Sequence, residues 1–105
     1  MELRHLRYFV TVAENLSFRR AAERLHLSHP TLTKQIDDLE NELGLKLFIR
    51  NHRRVELTEV GLGFLTDAKR TLASAQQAIT HAREVATGDE VVSPSEPLAR
   101  RLTPS

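Results

Sequence analysis

A mainly α-helical fold is what this sequence predicts: three short helices, a small β-hairpin and one long closing helix. Three observations predict it. Apolar residues return at steps of three and four from Leu3 to Leu43, two short β-prone runs flank an arginine-rich loop, and a further stretch of about 29 residues keeps a heptad spacing.

The first helix rests on Leu3, Leu6, Phe9, Val10 and Ala13, one apolar stripe that closes near Asn15. Ser17 is placed to cap a second helix of about two turns, whose inner face is Phe18, Ala21, Ala22 and Leu25 while Arg19, Arg20, Glu23 and Arg24 stay outside. Ser28 is the next cap, with Pro30 in the first turn, where amides have no intrahelical partner to lose. This third helix buries Leu32, Ile36, Leu39 and Leu43, and Gly44 follows where a left-handed terminating residue is wanted. Leu45 to Ile49 and Val55 to Leu57 read as two strands around Arg50-Asn51-His52-Arg53-Arg54. Thr58 then caps a helix from Glu59 to near Gly88, on the order of 43 Å long at 1.5 Å per residue.

No single small core needs a helix of that length. Its positions Leu65, Ala68, Leu72, Ala75, Ile79, Ala82 and Ala86 form a seam of alternating three- and four-residue steps, and alanine at every seventh place lets a second backbone come close. Homodimerisation through this helix is expected, with assembly beyond the dimer left open. From Asp89 the chain carries Pro94, Pro97 and Pro104 among serines with few large apolar residues, so 88–105 reads as a disordered tail.

Composition narrows the function. The 105 residues accommodate one small domain and exclude a two-lobed enzyme, and 40% hydrophobic with 28% charged residues is ordinary for a water-soluble chain. No run approaches the roughly 18 apolar residues of a membrane span, and the start Met1-Glu2-Leu3-Arg4-His5 lacks a secretory core, so a cytoplasmic location is expected. Absence of cysteine removes disulfides, thiolate catalysis and cysteine-based zinc sites. The five histidines form no metal-binding pair, no nucleophile motif is present, and Gly61-Leu62-Gly63 lacks the rest of a phosphate loop. Neither a cofactor nor catalysis is expected.

The net charge of +1 conceals an uneven distribution: from Ser17 to Arg54 eight basic residues face five acidic ones. Two short helices joined by a tight turn, the second followed by a hairpin, define a winged helix-turn-helix over 1–58, with 59–87 as the dimerisation helix. The side of the third helix opposite its buried stripe is polar or basic at its start and acidic at Asp37, Asp38, Glu40 and Glu42. It should therefore enter the major groove of double-stranded DNA by its N-terminus, the end its dipole also favours. His29, Thr31, Thr33, Lys34 and Gln35 are the candidates for base edges or nearby phosphates. Arg53 at the hairpin tip is the candidate for the minor groove, and Arg50 and Arg54 for phosphates.

In order and spacing, several of these stretches resemble the N-terminal domain of LysR-type transcriptional regulators. They are Met1-Glu2-Leu3-Arg4-His5-Leu6-Arg7-Tyr8-Phe9, Ser17-Phe18 with Ala21-Ala22, Leu27-Ser28-His29-Pro30, Leu32-Thr33-Lys34-Gln35-Ile36, Leu39-Glu40, Leu43-Gly44, Leu47-Phe48-Ile49-Arg50 and Leu57-Thr58-Glu59-Val60-Gly61. The resemblance covers roughly Met1 to Thr87. It implies a dimer built by the long helix on an interrupted inverted repeat at a promoter, with DNA contacts at Pro30, Thr31, Thr33, Lys34 and Arg53. Two positions depart from the family pattern: His29 stands where glutamine is usual, and Thr33 where serine is frequent. The family's effector-binding domain has no counterpart in these residues, so no small-molecule effector is expected to bind here. The competing expectation is an interaction protein that only pairs with longer relatives through the Leu65–Ala86 seam.

Overall fold

The computed structural model describes residues 1–88. Four helices and one hairpin follow in the order α1 (Leu3–Asn15), α2 (Phe18–Leu25), α3 (His29–Leu43), β1 (Phe48–Arg50), β2 (Val55–Leu57) and α4 (Glu59–Thr87). The chain divides into two compact units, Met1–Leu72 and the residues from Ala73 onward.

Helix boundaries lie where the local chemistry places them. Ser17 Oγ accepts the Arg20 amide at 3.1 Å, and Ser28 Oγ accepts the Thr31 amide at 3.2 Å. Each such cap contributes about 1 kcal/mol by satisfying an amide that the first helical turn leaves without a partner. At the other ends Leu16, His26 and Gly44 take left-handed backbone and turn the chain out of the helix. His26 has φ 59°, a conformation of some cost to any residue with a Cβ but one that gives the α2–α3 connection its tightness.

The core of the first unit gathers Leu6, Phe9, Val12, Phe18, Ala21, Leu32, Ile36, Leu39, Leu47 and Phe48, all buried. Phe9 is fully buried, its ring 5.3 Å from that of Phe48 and 5.1 Å from that of Phe64, so one α1 side chain joins the hairpin to the start of α4. The hairpin is antiparallel, pairing Phe48 with Leu57, Ile49 with Glu56 and Arg50 with Val55.

Two expectations need correction. The first strand is Phe48–Arg50, not Leu45–Ile49. The residues before Phe48 are engaged elsewhere: the Leu45 amide donates to the Glu40 carbonyl, the Lys46 carbonyl accepts the Thr58 hydroxyl and the Leu47 amide donates to the Glu40 carboxylate, while the Leu47 carbonyl alone continues the ladder by accepting the amide of Thr58 opposite it. The heptad seam is also divided. Ala68 is only 1% exposed and lies in the core of the first unit, with Leu65 and Leu72 packed against that core, so Ala68 has no surface left for a second chain. In the second unit Ile79, Ala82 and Ala86 are exposed and Ala75 is half-buried. The tail reading falls, beyond Gly88, outside the described residues.

Candidate nucleic-acid interface

The α2–α3 connection is three residues, His26 to Ser28, held by the Leu27 amide donating to the Ala22 carbonyl at 2.9 Å. A turn this short fixes α3 relative to α2 and leaves the first turn of α3 facing outward, with His29, Pro30, Thr31 and Lys34 exposed. Ser28 also donates its hydroxyl to Thr31 Oγ1 at 2.8 Å, which orders the first residues a duplex would meet. The positive end of the helix dipole at this terminus suits a polyanion, while the Thr31 and Leu32 amides are held by Ser28 and Pro30 carries no N–H.

The arginine loop is shaped by Asn51. Its Oδ1 accepts the Arg53 amide at 2.8 Å and the Arg54 amide at 3.0 Å, while its own amide donates to the Arg54 carbonyl at 3.1 Å. The side chain thus mimics a backbone turn, leaving Arg53 exposed at the tip. Sequence reading passed over Asn51, although asparagine opening a short polar loop is a usable signal for such a turn.

Between the start of α3 and this loop runs an open groove of about 400 Å³, whose walls include His29, Thr33, Arg50, Arg53 and Arg54. Five of the nine residues proposed from sequence for DNA contact are thus brought together on one concavity. Pro30, Thr31 and Lys34 lie exposed on α3 outside the groove.

Two of the nine are placed differently from expectation. Gln35 is half-buried, with its Oε1 enclosed and without a hydrogen-bond partner among the described residues, so that atom is not offered to a base edge. Arg50 is committed inside the fold: its Nη2 lies 2.8 Å from Glu40 Oε1 and 2.9 Å from Asp37 Oδ1, and its guanidinium carbon sits 4.9 Å from the Phe18 ring centroid. A guanidinium so engaged holds the wing to α3 and is poorly placed to seek phosphate.

Glu40 is the centre of this arrangement and was missed from sequence as a structural residue. It is 2% exposed, and its Oε2 accepts the Leu47 amide at 2.7 Å and the Phe48 amide at 3.2 Å while Oε1 holds Arg50. One carboxylate therefore satisfies two backbone donors and a cation, which fixes the α3–β1 connection and the wing base against the recognition helix. Its position next to the buried Leu39, four residues after Ile36, was the available clue.

Charge on the outer face is largely matched. Lys34 Nζ lies 3.1 Å from Asp38 Oδ2 one turn along α3, and Arg54 Nε lies 2.9 Å from Glu56 Oε2. Of the four basic residues Lys34, Arg50, Arg53 and Arg54, only Arg53 has no carboxylate partner among the described residues. No cluster of three or more metal-ligating side chains and no helix long and apolar enough to cross a membrane occurs among the described residues.

A recognition helix opened by a capped, polar first turn and flanked by an arginine-tipped hairpin defines a winged helix-turn-helix domain of the kind found in DNA-binding regulators of transcription. The model of the LysR family of bacterial regulatory helix-turn-helix proteins matches residues 3–62, and the chain belongs to that family. It is 53% identical over 89 residues to the Hca operon transcriptional activator HcaR of Escherichia coli (strain K12), covering 85% of this chain and 30% of that protein. It is 51% identical over 88 residues to the regulator BudR of Klebsiella aerogenes, covering 84% of this chain and 62% of that one. The chain spans about a third of the length of the first of these relatives. Among solved structures, the BenM DNA-binding domain in complex with catB site 1 DNA superposes with a TM-score of 0.85 at 41% identity, over 89% of this chain and 100% of that one. The CbnR DNA-binding domain in complex with DNA gives 0.78 at 45% identity, over 82% and 99% of the two chains.

Proposed function

We infer that this chain is the DNA-reading portion of a LysR-type transcriptional regulator and binds double-stranded promoter DNA as a homodimer on an interrupted inverted repeat. The observation that carries the reading is the convergence of His29 and Thr33 from α3 with Arg53 and Arg54 from the wing on one groove. Helix α3 enters the major groove by its first turn. There Thr31 and Thr33 offer methyls to thymine and hydroxyls to either base, Lys34 reaches purine acceptors, and His29 and Pro30 flank them. Arg53 enters the adjacent minor groove and Arg54 reaches phosphate. Arg50 takes part as a positioning residue, through Glu40 and Asp37. Support also comes from the DNA-bound BenM and CbnR domains, which share this fold at 41% and 45% identity.

Titration of fluorescent duplexes against ionic strength tests the reading. A dimer that neutralises about six phosphates loses affinity with a log–log slope near −5 as salt rises, and Lys34→Ala should cost roughly 1–3 kcal/mol on a duplex selected from a random pool. A chain that binds no duplex in dilute buffer is a pairing module instead, and the DNA reading is then wrong.

Dimerisation is assigned to the second half of α4, where Ile79 and Val85 are large exposed apolar residues and Ala82 and Ala86 continue the stripe. Val85 lies off the heptad read from sequence and joins it on Ala75–Ala78–Ala82 spacing. Sedimentation should give a dimer at micromolar concentration and a monomer for Ile79→Glu, since a carboxylate in an apolar seam has no partner to compensate its desolvation. A monomeric parent chain overturns the assignment.

A further inference from the structure

We propose that Asp38 is a specificity-determining residue, whose carboxylate makes Lys34 a reader of bases and a poor ligand for phosphate; this rests on the DNA reading above. Lys34 Nζ is 3.1 Å from Asp38 Oδ2 and 3.4 Å from Oδ1, and both side chains are well exposed on α3, Lys34 at 73% and Asp38 at 45%. An ammonium has three donors. One directed at Asp38 leaves two for neutral acceptors such as the N7 and O6 of guanine, so base contact and ion pair coexist. A phosphate is another matter. It carries a full negative charge, and bringing it to the same ammonium places it within about 7 Å of the Asp38 carboxylate, where like charges in a partly desolvated interface repel.

The consequence falls unequally on the two modes of DNA binding. Non-specific association depends on phosphates alone, so the protein samples poses in which Lys34 seeks the backbone and Asp38 opposes it. On the correct sequence the register is set by base edges, Lys34 is satisfied by neutral acceptors, and Asp38 opposes little. Among the neighbouring charges Arg50 fits the same scheme, held by Asp37 and Glu40, whereas Arg54 spends only its Nε on Glu56 and Arg53 has no carboxylate partner among the described residues. The surface attracts DNA weakly until its shape and bases fit. Specificity arises here from a repulsive element as much as from an attractive one.

The test compares Asp38→Asn with Asp67→Asn, which removes the same charge from an exposed i,i+3 pair with Arg70 on α4, outside the recognition helix and wing. Both variants of the 105-residue chain and the parent are titrated with a random-sequence duplex and with a duplex selected by the parent from a random pool. Asp38→Asn is expected to tighten random-sequence binding on the order of 3- to 10-fold, the size of one like-charge contact at about 7 Å in a partly wet interface. Its log–log salt slope on that duplex should steepen by about 0.9 per protomer as Lys34 becomes a phosphate ligand. Selected-duplex affinity should rise far less, so discrimination falls. Equal gains on both duplexes, or an Asp38→Asn effect no larger than that of Asp67→Asn, overturn the inference while leaving DNA binding standing. A parent chain that binds neither duplex overturns both.

Discussion

Replacing Glu40 by alanine is expected to destabilise the first unit by about 3–5 kcal/mol, the range for removing one partner of a buried charged cluster. The carboxylate is 2% exposed and satisfies the Leu47 amide, the Phe48 amide and the Arg50 guanidinium at once. Alanine leaves two backbone donors in a closed space without acceptors. It also leaves Arg50, 28% exposed and still over the Phe18 ring, with Asp37 alone for charge compensation. In a unit of this size each kcal/mol lowers the melting temperature by about 4–8 °C, so a fall of roughly 15–30 °C should be seen by circular dichroism. Glu40→Gln separates the contributions: it keeps the shape and one acceptor but turns an amide nitrogen toward donors, and should lose less than half as much. A fall below about 5 °C for Glu40→Ala would mean that water replaces the carboxylate without penalty and that the wing does not depend on it.

Which parts of this molecule could be read from sequence follows from how local their causes are. Ser17, Ser28 and Thr58 cap helices by bonding amides three residues on, and Gly44 ends α3 through its own backbone, so the starts of α2, α3 and α4 and the end of α3 could be placed from neighbouring residues alone. The groove residues were individually visible as a polar helix start and an arginine loop. Their convergence was inferred from the motif that contains them. What escaped depends on partners distant in the chain. Glu40 resembled the exposed acids beside it because its donors come from residues seven to ten positions later. The first strand is shorter than its β-prone run because the Leu45 amide stays with the end of α3, the Lys46 carbonyl accepts the Thr58 hydroxyl and the Leu47 amide donates to the Glu40 carboxylate. Ala68 fitted a heptad equally well whether it faced a second chain or its own core, since spacing alone does not say which surface lies opposite.

Gly61→Ala is expected to destabilise the first unit by about 3 kcal/mol, against the direction that helix propensity suggests. Gly61 lies in the first turn of α4, where alanine would ordinarily be favoured by up to about 1 kcal/mol. Here a Cβ would lie 2.1 Å from the Leu47 carbonyl oxygen and 3.0 Å from its carbon, with Leu57 Cδ2 at 3.1 Å. The obstruction is backbone and has little freedom to retreat: Leu47 is fully buried, its amide is held by Glu40 and its carbonyl accepts the Thr58 amide. Relief requires α4 to move away from the α3–β1 connection, giving up the Gly61–Thr58 cap and the packing of Phe64 on Phe9, and overpacking of this kind costs about 1–3 kcal/mol or more. Gly63 supplies the control two residues later in the same helix. A Cβ there meets nothing within 4 Å, so Gly63→Ala should follow propensity and stabilise by about 0.5–1 kcal/mol. Opposite signs for the two substitutions in one denaturant titration are the expected result. Equal signs would show that the start of α4 is not pressed against Leu47, and with that the wing would lose its seat on the long helix.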